Sequence, residues 1–364
     1  MARPARAVID LAAIRHNYRH AKALAPQARA LAVIKANAYG HGAVKVAESL
    51  TAEVDGFAVA CIEEALELRG AGIRNPILLL EGVFTPDELP LVDREHFSIV
   101  IHTAEQLAWL LAARPSRKLD VFLKVDTGMH RLGVAPEQVE PMFFALQQCA
   151  HVGSIVLMTH FARADEVGCE YTALQMERFR LAVNRLSVPC SLANSPATLA
   201  WPDSHHDWIR PGLMLYGASP LDQDNAASRL LRPAMRLESA LISVRELPAG
   251  EPVGYGGRFH TGESARVGVV AMGYADGYPR HAIDGTPIAV NGIRTRVIGR
   301  VSMDMLTVDL TGMDCRVGDK VELWGNTVLA TEVAQASHTI PYALFTSITR
   351  RVPLVYEGLA GVAT

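Results

Sequence analysis

The chain has 364 residues, 49% hydrophobic and 20% charged, with 35 Lys and Arg against 38 Asp and Glu for a net charge of −3. Enough apolar residue is present for a large core and against disorder, and the near-neutral balance removes the electrostatic case for a nucleic-acid or polybasic membrane binder. At about 150 residues per domain the length suggests two domains.

The start, MARPARAVIDL, has no apolar run long enough for a signal peptide, and no stretch approaches the roughly 18 apolar residues of a membrane span. A cytoplasmic protein is therefore expected. Up to about residue 225, short apolar runs alternate with helical stretches. The predicted strands are 31–35 (LAVIK), 56–60, 77–81, 97–101, 121–125, 155–160, 190–194 and 207–210. Between them, 62–71, 103–113 and 171–186 read as helices, with Thr103 suited to cap the second. Short apolar runs of this kind suit strands buried on both faces, and eight β–α steps predict a (β/α)8 barrel. The polar run 222–227 (DQDNAA) reads as a linker, dividing a barrel over 1–227 from a mostly antiparallel β domain over 228–364. In the latter, 267–272, 286–290, 295–301, 303–310 and 320–324 read as strands, and Asn291-Gly292 as a hairpin turn.

Barrel enzymes place their chemistry at the C-terminal ends of the strands. There the chain carries Lys35, Lys124 followed by Arg131, His160, Asn194-Ser195, and Arg210-Pro211-Gly212. A lysine leaving an apolar strand can become a nucleophile that forms a Schiff base, although a rim lysine also snorkels into water. The loops after the seventh and eighth strands often bind phosphate, although an ordinary capped turn looks the same. Together these features point to pyridoxal 5'-phosphate (PLP) or to a phosphosugar aldolase, and strand order does not separate the two. The five cysteines (Cys61, Cys149, Cys169, Cys190, Cys315) are scattered without a CxxC pair, which argues against disulfides and a thiolate zinc site. His16 and His20, like His205 and His206, lack companion ligands and read as surface residues, so no metal site is expected. The Gly254–Gly257 cluster lacks the strand–turn–helix setting of a dinucleotide fingerprint.

The segments AVIKANAYGHG (32–42), KVDTGMHRLG (124–133), THFARAD (159–165), NSPA (194–197), RPGLMLYG (210–217), GY (254–255), GYADGY (273–278), GRVSMD (299–304) and IPY (340–342) stand in the order found in the alanine racemases, which this chain resembles over nearly its whole length. The resemblance implies a PLP enzyme that interconverts L-alanine and D-alanine with two bases, Lys35 (also the Schiff-base lysine) and Tyr255. It implies phosphate contacts from Tyr39, Ser195, Gly212, Leu213 and Tyr342, with Asn194 in the same loop. Arg210 would face the pyridine nitrogen with His160 behind it. Arg131 and the backbone of Met303 would hold the substrate carboxylate. Lys124 matches a lysine often carbamylated in the family, and Asp165, Tyr274, Arg280 and Arg300 match positions lining the way in. Tyr255 and Met303 would come from a neighbouring subunit, which implies a homodimer with shared active sites.

Two positions depart from common family patterns: Ser302 stands where many members have cysteine, and His130 where many have glycine. A broader amino-acid racemase remains a second reading, since excluding one methylene is worth only about 1–3 kcal/mol. Arg210 argues against a PLP decarboxylase of the same fold, which would use an acidic residue there. The second domain with Tyr255 argues against a non-enzymatic PLP carrier, which resembles the barrel alone.

Overall fold

A computed structural model describes residues 3–358. The chain opens with strand β1 (Arg6–Asp10) and helix α1 (Leu11–Leu24), whose N-terminus is capped by the Asp10 carboxylate accepting from Ala12 N and Ala13 N. Eight parallel strands follow: β2 (Arg29–Val33), β3 (Gly56–Val59), β4 (Ile77–Leu79), β5 (Phe97–Ile101), β6 (Leu119–Lys124), β7 (Val152–Met158), β8 (Cys190–Ser191) and β9 (Trp208–Ile209). Their order in the sheet is β8-β7-β6-β5-β4-β3-β2-β9. The two ends meet through Ser191 Oγ donating to Trp208 O (3.0 Å) and Asp207 N donating to Cys190 O (3.2 Å), so the sheet curls into a barrel. Helices α2 (Ala43–Leu50), α3 (Ile62–Gly70), α4 (Leu89–Arg94), α5 (Ala104–Ala112), α6 (Val139–Gln148), α7 (Glu170–Val183) and α8 (Ser195–Ala200) run outside it. After β9 comes only a 3-10 turn at Leu213–Tyr216, and α1 packs beside it, with Asn17 Nδ2 donating to Leu215 O (3.0 Å) and Arg232 O (2.8 Å).

The second sheet contains β10 (Met235–Leu247), β13 (Ala265–Val270), β14 (Pro287–Val290), β15 (Ile293–Ile298), β16 (Leu306–Asp309), β17 (Lys320–Trp324) and β18 (Leu354–Glu357), with the short pair β11 (Pro252–Val253) and β12 (Phe259–His260) beside it. Helices α9 (Ala330–Ala336) and α10 (Pro341–Thr346) precede β18. Asn291 (φ +50°) and Gly292 (φ +79°) form the expected hairpin between β14 and β15. Pairing is antiparallel except between β1 and β18.

Two features differ from the sequence expectation. The barrel was expected to begin at residue 1, yet β1 pairs with β10 and β18 in the second sheet. The physical reason is that Ala7 and Ile9 are buried in that sheet's core and the edge of β10 needs a partner for its backbone groups. The longest strand, β10, escapes sequence reading because Arg236, Glu238, Arg245 and Glu246 interrupt its apolar pattern. Glu238 is nevertheless buried, where it meets Arg6, Arg236 and Lys320. Among the described residues no helix is long and apolar enough to cross a membrane. The five cysteines are unpaired.

Candidate functional site

Directly after β2 the backbone enters a left-handed turn. Ala36, Asn37 and Ala38 have φ of 52°, 54° and 51°, and Tyr39 follows at 52°. Each non-glycine residue in this conformation costs roughly 1–2 kcal/mol, so its surroundings must hold it. Ala36 N donates to Glu64 Oε1 (2.7 Å) and Ala43 N to Asn37 Oδ1 (2.8 Å). His41 is fully buried, which pushes its pKa down to about 4 and keeps it neutral. Its Nδ1 donates to Tyr39 O (2.9 Å) and Ala38 O (3.1 Å). A Cβ on Gly40 would lie 2.2 Å from Phe345 O, so only glycine fits where the turn meets α10. The turn brings both Lys35 and Tyr39 to the wall of one cavity at the C-terminal barrel face.

That cavity has a volume of about 810 Å³. Lys35, Lys124, Arg131 and Arg210 line it, against a single carboxylate, Glu81. Among the described residues the Lys35, Lys124 and Arg131 side chains make no hydrogen bond or ion pair. Burial first, then the Arg210, Arg131 and Lys35 charges, push Lys124 down to about 8. Arg210 has no carboxylate partner among the described residues, and burial lowers it to about 10. Its terminal nitrogens donate to Ser191 O (2.9 Å), Ser191 Oγ (2.6 Å), Thr159 O (2.7 Å) and Leu192 O (3.2 Å). One of them also meets His160 Nδ1 at 3.4 Å. Since arginine has no acceptor, that nitrogen is the acceptor. Burial and the four cations hold His160 well below its usual range, so it stays neutral. The Nε–H of Arg210 has no partner among the described residues.

At the other end, Asn194 Oδ1 caps α8 by accepting from Ala197 N (3.2 Å). Ser195 Oγ accepts from Gly212 N (2.7 Å) and Met214 N (3.3 Å), while Leu213 N–H has no acceptor among the described residues. A Cβ on Gly212 would sit 2.7 Å from Tyr39 Oη, so the glycine lets the tyrosine close over the loop. Tyr342, from α10, also lines the cavity, its ring 5.7 Å from that of Tyr39. Burial raises both phenols, with Asp165 adding to the rise at Tyr342, which reaches about 12. Both hydroxyls therefore remain donors at neutral pH. A dianionic group with a flat aromatic body fits this set of groups in one cavity: free hydroxyls and an N–H, a guanidinium Nε–H and a lysine.

The other sequence-derived positions lie elsewhere. Tyr255, Tyr274, Arg280, Arg300 and Met303 do not line this cavity. They sit on loops of the second domain, where Arg280 covers the Tyr274 ring (5.5 Å) and Ala275 N donates to Met303 O (3.0 Å). Tyr255 is 67% exposed and Met303 53%. Asp165, exposed on the barrel side, acts electrostatically on Tyr342. Sequence reading missed Glu81, Ile340, Ala343 and Thr346 in the wall, and Glu64 and His41 behind the turn. His41 lies inside a quoted motif, but nothing local shows that it is buried.

The family model described as alanine racemase, N-terminal domain, matches residues 9–220, and that described as alanine racemase, C-terminal domain, matches 234–356. An alanine racemase of Pseudomonas fluorescens is 56% identical over 355 residues, 97% of this chain and 99% of that one. A catabolic alanine racemase of Pseudomonas putida is 55% identical over 357 residues, 98% and 99% of the two chains. Among solved structures, the biosynthetic alanine racemase of Pseudomonas aeruginosa superposes with a TM-score of 0.95 at 49% identity, covering 98% and 99% of the two chains.

Proposed function

The chain belongs to the alanine racemase family, and from that premise we propose that it interconverts L-alanine and D-alanine with PLP, using one proton-transfer group on each face of the substrate. The observation that carries this reading is the convergence on one cavity of Lys35 with Lys124, Arg131 and Arg210, the first three without a hydrogen-bond or ion-pair partner among the described residues. PLP, when bound, supplies the electron withdrawal that acidifies the Cα–H of an amino acid. Lys35 would anchor its aldehyde. Tyr39, Tyr342, Ser195 and the Leu213 N–H, with Gly212 and Asn194 shaping the loop, would hold its phosphate.

The chain's own residues then do the following. Arg210 offers Nε–H as a donor but no transferable proton, so it would hold the cofactor's ring nitrogen by a hydrogen bond without protonating it and would temper the electron withdrawal. Neutral His160 accepts from Arg210 and fixes its plane. Arg131 pairs with the substrate carboxylate in a bidentate fork, leaving Cα presented between two faces. Lys35 Nζ removes or returns the proton on one face, and the partner subunit's Tyr255 does so on the other. The exposure of Tyr255 and Met303 supports a homodimer in which each barrel is completed by a second copy. With its pKa near 8, a fraction of Lys124 is a free amine at neutral pH, and carbamylation would turn a cation beside Arg131 into an anion. Asp165, Tyr274, Arg280 and Arg300 would line the way in, and the chain would act in the cytoplasm as two units divided near residue 227.

The test is incubation of the PLP-loaded protein with L-alanine, L-serine or L-arginine in deuterated water. Loss of optical rotation with α-deuteration for alanine alone is expected, and borohydride reduction should attach the cofactor to Lys35. Equal rates on all three amino acids would point to a broad racemase. Release of carbon dioxide, no turnover, or a label on another lysine would overturn the reading.

A further inference from the structure

Arg131 lines the cavity without a hydrogen bond among the described residues, so the loop that carries it helps to set where the guanidinium stands. That loop is gripped from behind by α7. Tyr171, Gln175 and Arg178, spaced i, i+4 and i+7, share one face of the helix. Tyr171 Oη donates to Gly128 O (2.7 Å) and Arg178 Nη1 to Thr127 O (3.1 Å). A Cβ on Gly128 (φ +135°) would lie 2.5 Å from Tyr171 Oη, so the glycine is what lets the helix come this close. The rest of the loop is short of slack: Asp126 Oδ1 accepts from Gly128 N (2.9 Å) and His130 N (3.0 Å).

Gln175, fully buried at the centre of this face, ties the loop to the neighbouring strand. Its Oε1 accepts from Ala162 N (2.9 Å), and its Nε2 donates to Thr127 Oγ1 (3.1 Å) and to His160 O (3.2 Å). The amide orientation is thereby set. Thr159 Oγ1 spends its proton on Val125 O (2.9 Å), so Thr127 is the donor in the 2.8 Å contact between the two hydroxyls. Every proton in the chain Gln175, Thr127, Thr159, Val125 O has one direction. The same Thr159 presents its carbonyl to Arg210.

We propose that Gln175 is a positioning residue that sets the place of Arg131 relative to Arg210, through Thr127 and His160, and so sets how well the site grips a substrate carboxylate. This rests on the carboxylate-binding role proposed for Arg131. Replacing Gln175 by Met keeps its volume but leaves Thr127, His160 O and Ala162 N without this partner, so the loop loses its central tie while those from Tyr171 and Arg178 remain.

The measurements are KM and kcat for L-alanine, the inhibition constant of propionate (the same carboxylate without the amine), PLP affinity and thermal midpoint, on the PLP-loaded protein. For Gln175→Met, KM and the propionate constant should rise together by about tenfold, with kcat within about threefold and PLP affinity unchanged. Thr127→Val should shift both in the same direction, and Thr127→Ser, which keeps the hydroxyl, should restore both. These threonine variants carry the test if Gln175→Met does not fold. A merely structural role would lower the thermal midpoint and leave the propionate constant in place, and that result would overturn the proposal. A wild-type protein inactive on alanine would instead sink the functional reading, and calorimetric propionate binding across the same variants would still report on the placement of Arg131.

Discussion

Around Lys35 the backbone is strained and backed by buried Ala38, Tyr39 and His41; around Tyr255 it is exposed and rich in glycine. Lys35 is followed by four consecutive residues in the left-handed region, held by Glu64, Asn37 and His41, where Gly40 meets α10. Tyr255 sits among Gly254, Gly256 and Gly257, all at positive φ, with two-thirds of its surface open. Yet the loops around it are not slack throughout: Arg3 pairs with buried Asp276, and Arg351 with Asp304, which braces the segments carrying Tyr274 and Met303. In the proposed homodimer this braced, exposed surface, with its phenol and apolar methionine, would face the second copy. The contrast is between a cavity lined by one chain's own residues and an exposed surface to which the proposed homodimer would bring a second copy.

The sharpest way to break this comparison is to mix the halves. Lys35→Ala and Tyr255→Ala should each be inactive as pure proteins. Mixed and reassembled in equal amounts, half of the dimers are heterodimers with one intact site, so roughly a quarter of wild-type activity should return. No recovery, with heterodimers demonstrated by native mass spectrometry, would place both groups in one chain. A smaller effect sharpens the division of labour. Tyr255→Phe should lose roughly 10²–10³-fold, with a solvent isotope effect that differs between the L-to-D and D-to-L directions. Equal losses without such a difference would remove its one-sided role.

The smallest expected effect tests the buried half. His41 stays neutral when folded down to about pH 4 but takes up a proton near 6.5 when unfolded. Its depressed folded value contributes stability that is present above about pH 6.5 and lost as pH falls toward 4, where the unfolded state binds the extra proton. His41→Phe, lacking that proton, should lose less stability than wild type between those limits in urea titrations, although it starts lower because the left-handed turn loses a donor. An unchanged slope would show that burial of His41 carries no such penalty.

Much of the barrel is legible in the sequence because strands buried on both faces must be apolar along their whole length; 97–101 is matched to the residue, as is 320–324 in the second sheet. The cavity's cations were legible because strand ends advertise them. The left-handed turn was not: Ala-Asn-Ala-Tyr has no glycine, and only the groups around it make that backbone stable. The α7 clamp was not either, since Gln175 lies 48 residues from Thr127 and 15 from His160. In sequence it is one more polar residue on a mixed helix.

From its amino acids alone the chain determined its element types, its order of motifs and its stock of charged and hydroxyl groups, because periodicity and residue chemistry are local. Tertiary structure decided that Tyr342, near the C-terminus, reaches the barrel of its own chain while Tyr255 does not. It also gave β1 to the second sheet and set the loop before Arg131, at Thr127 and Gly128, against a helix face. These outcomes depend on which backbone groups and apolar surfaces find partners in space, and separation along the chain carries no information about that.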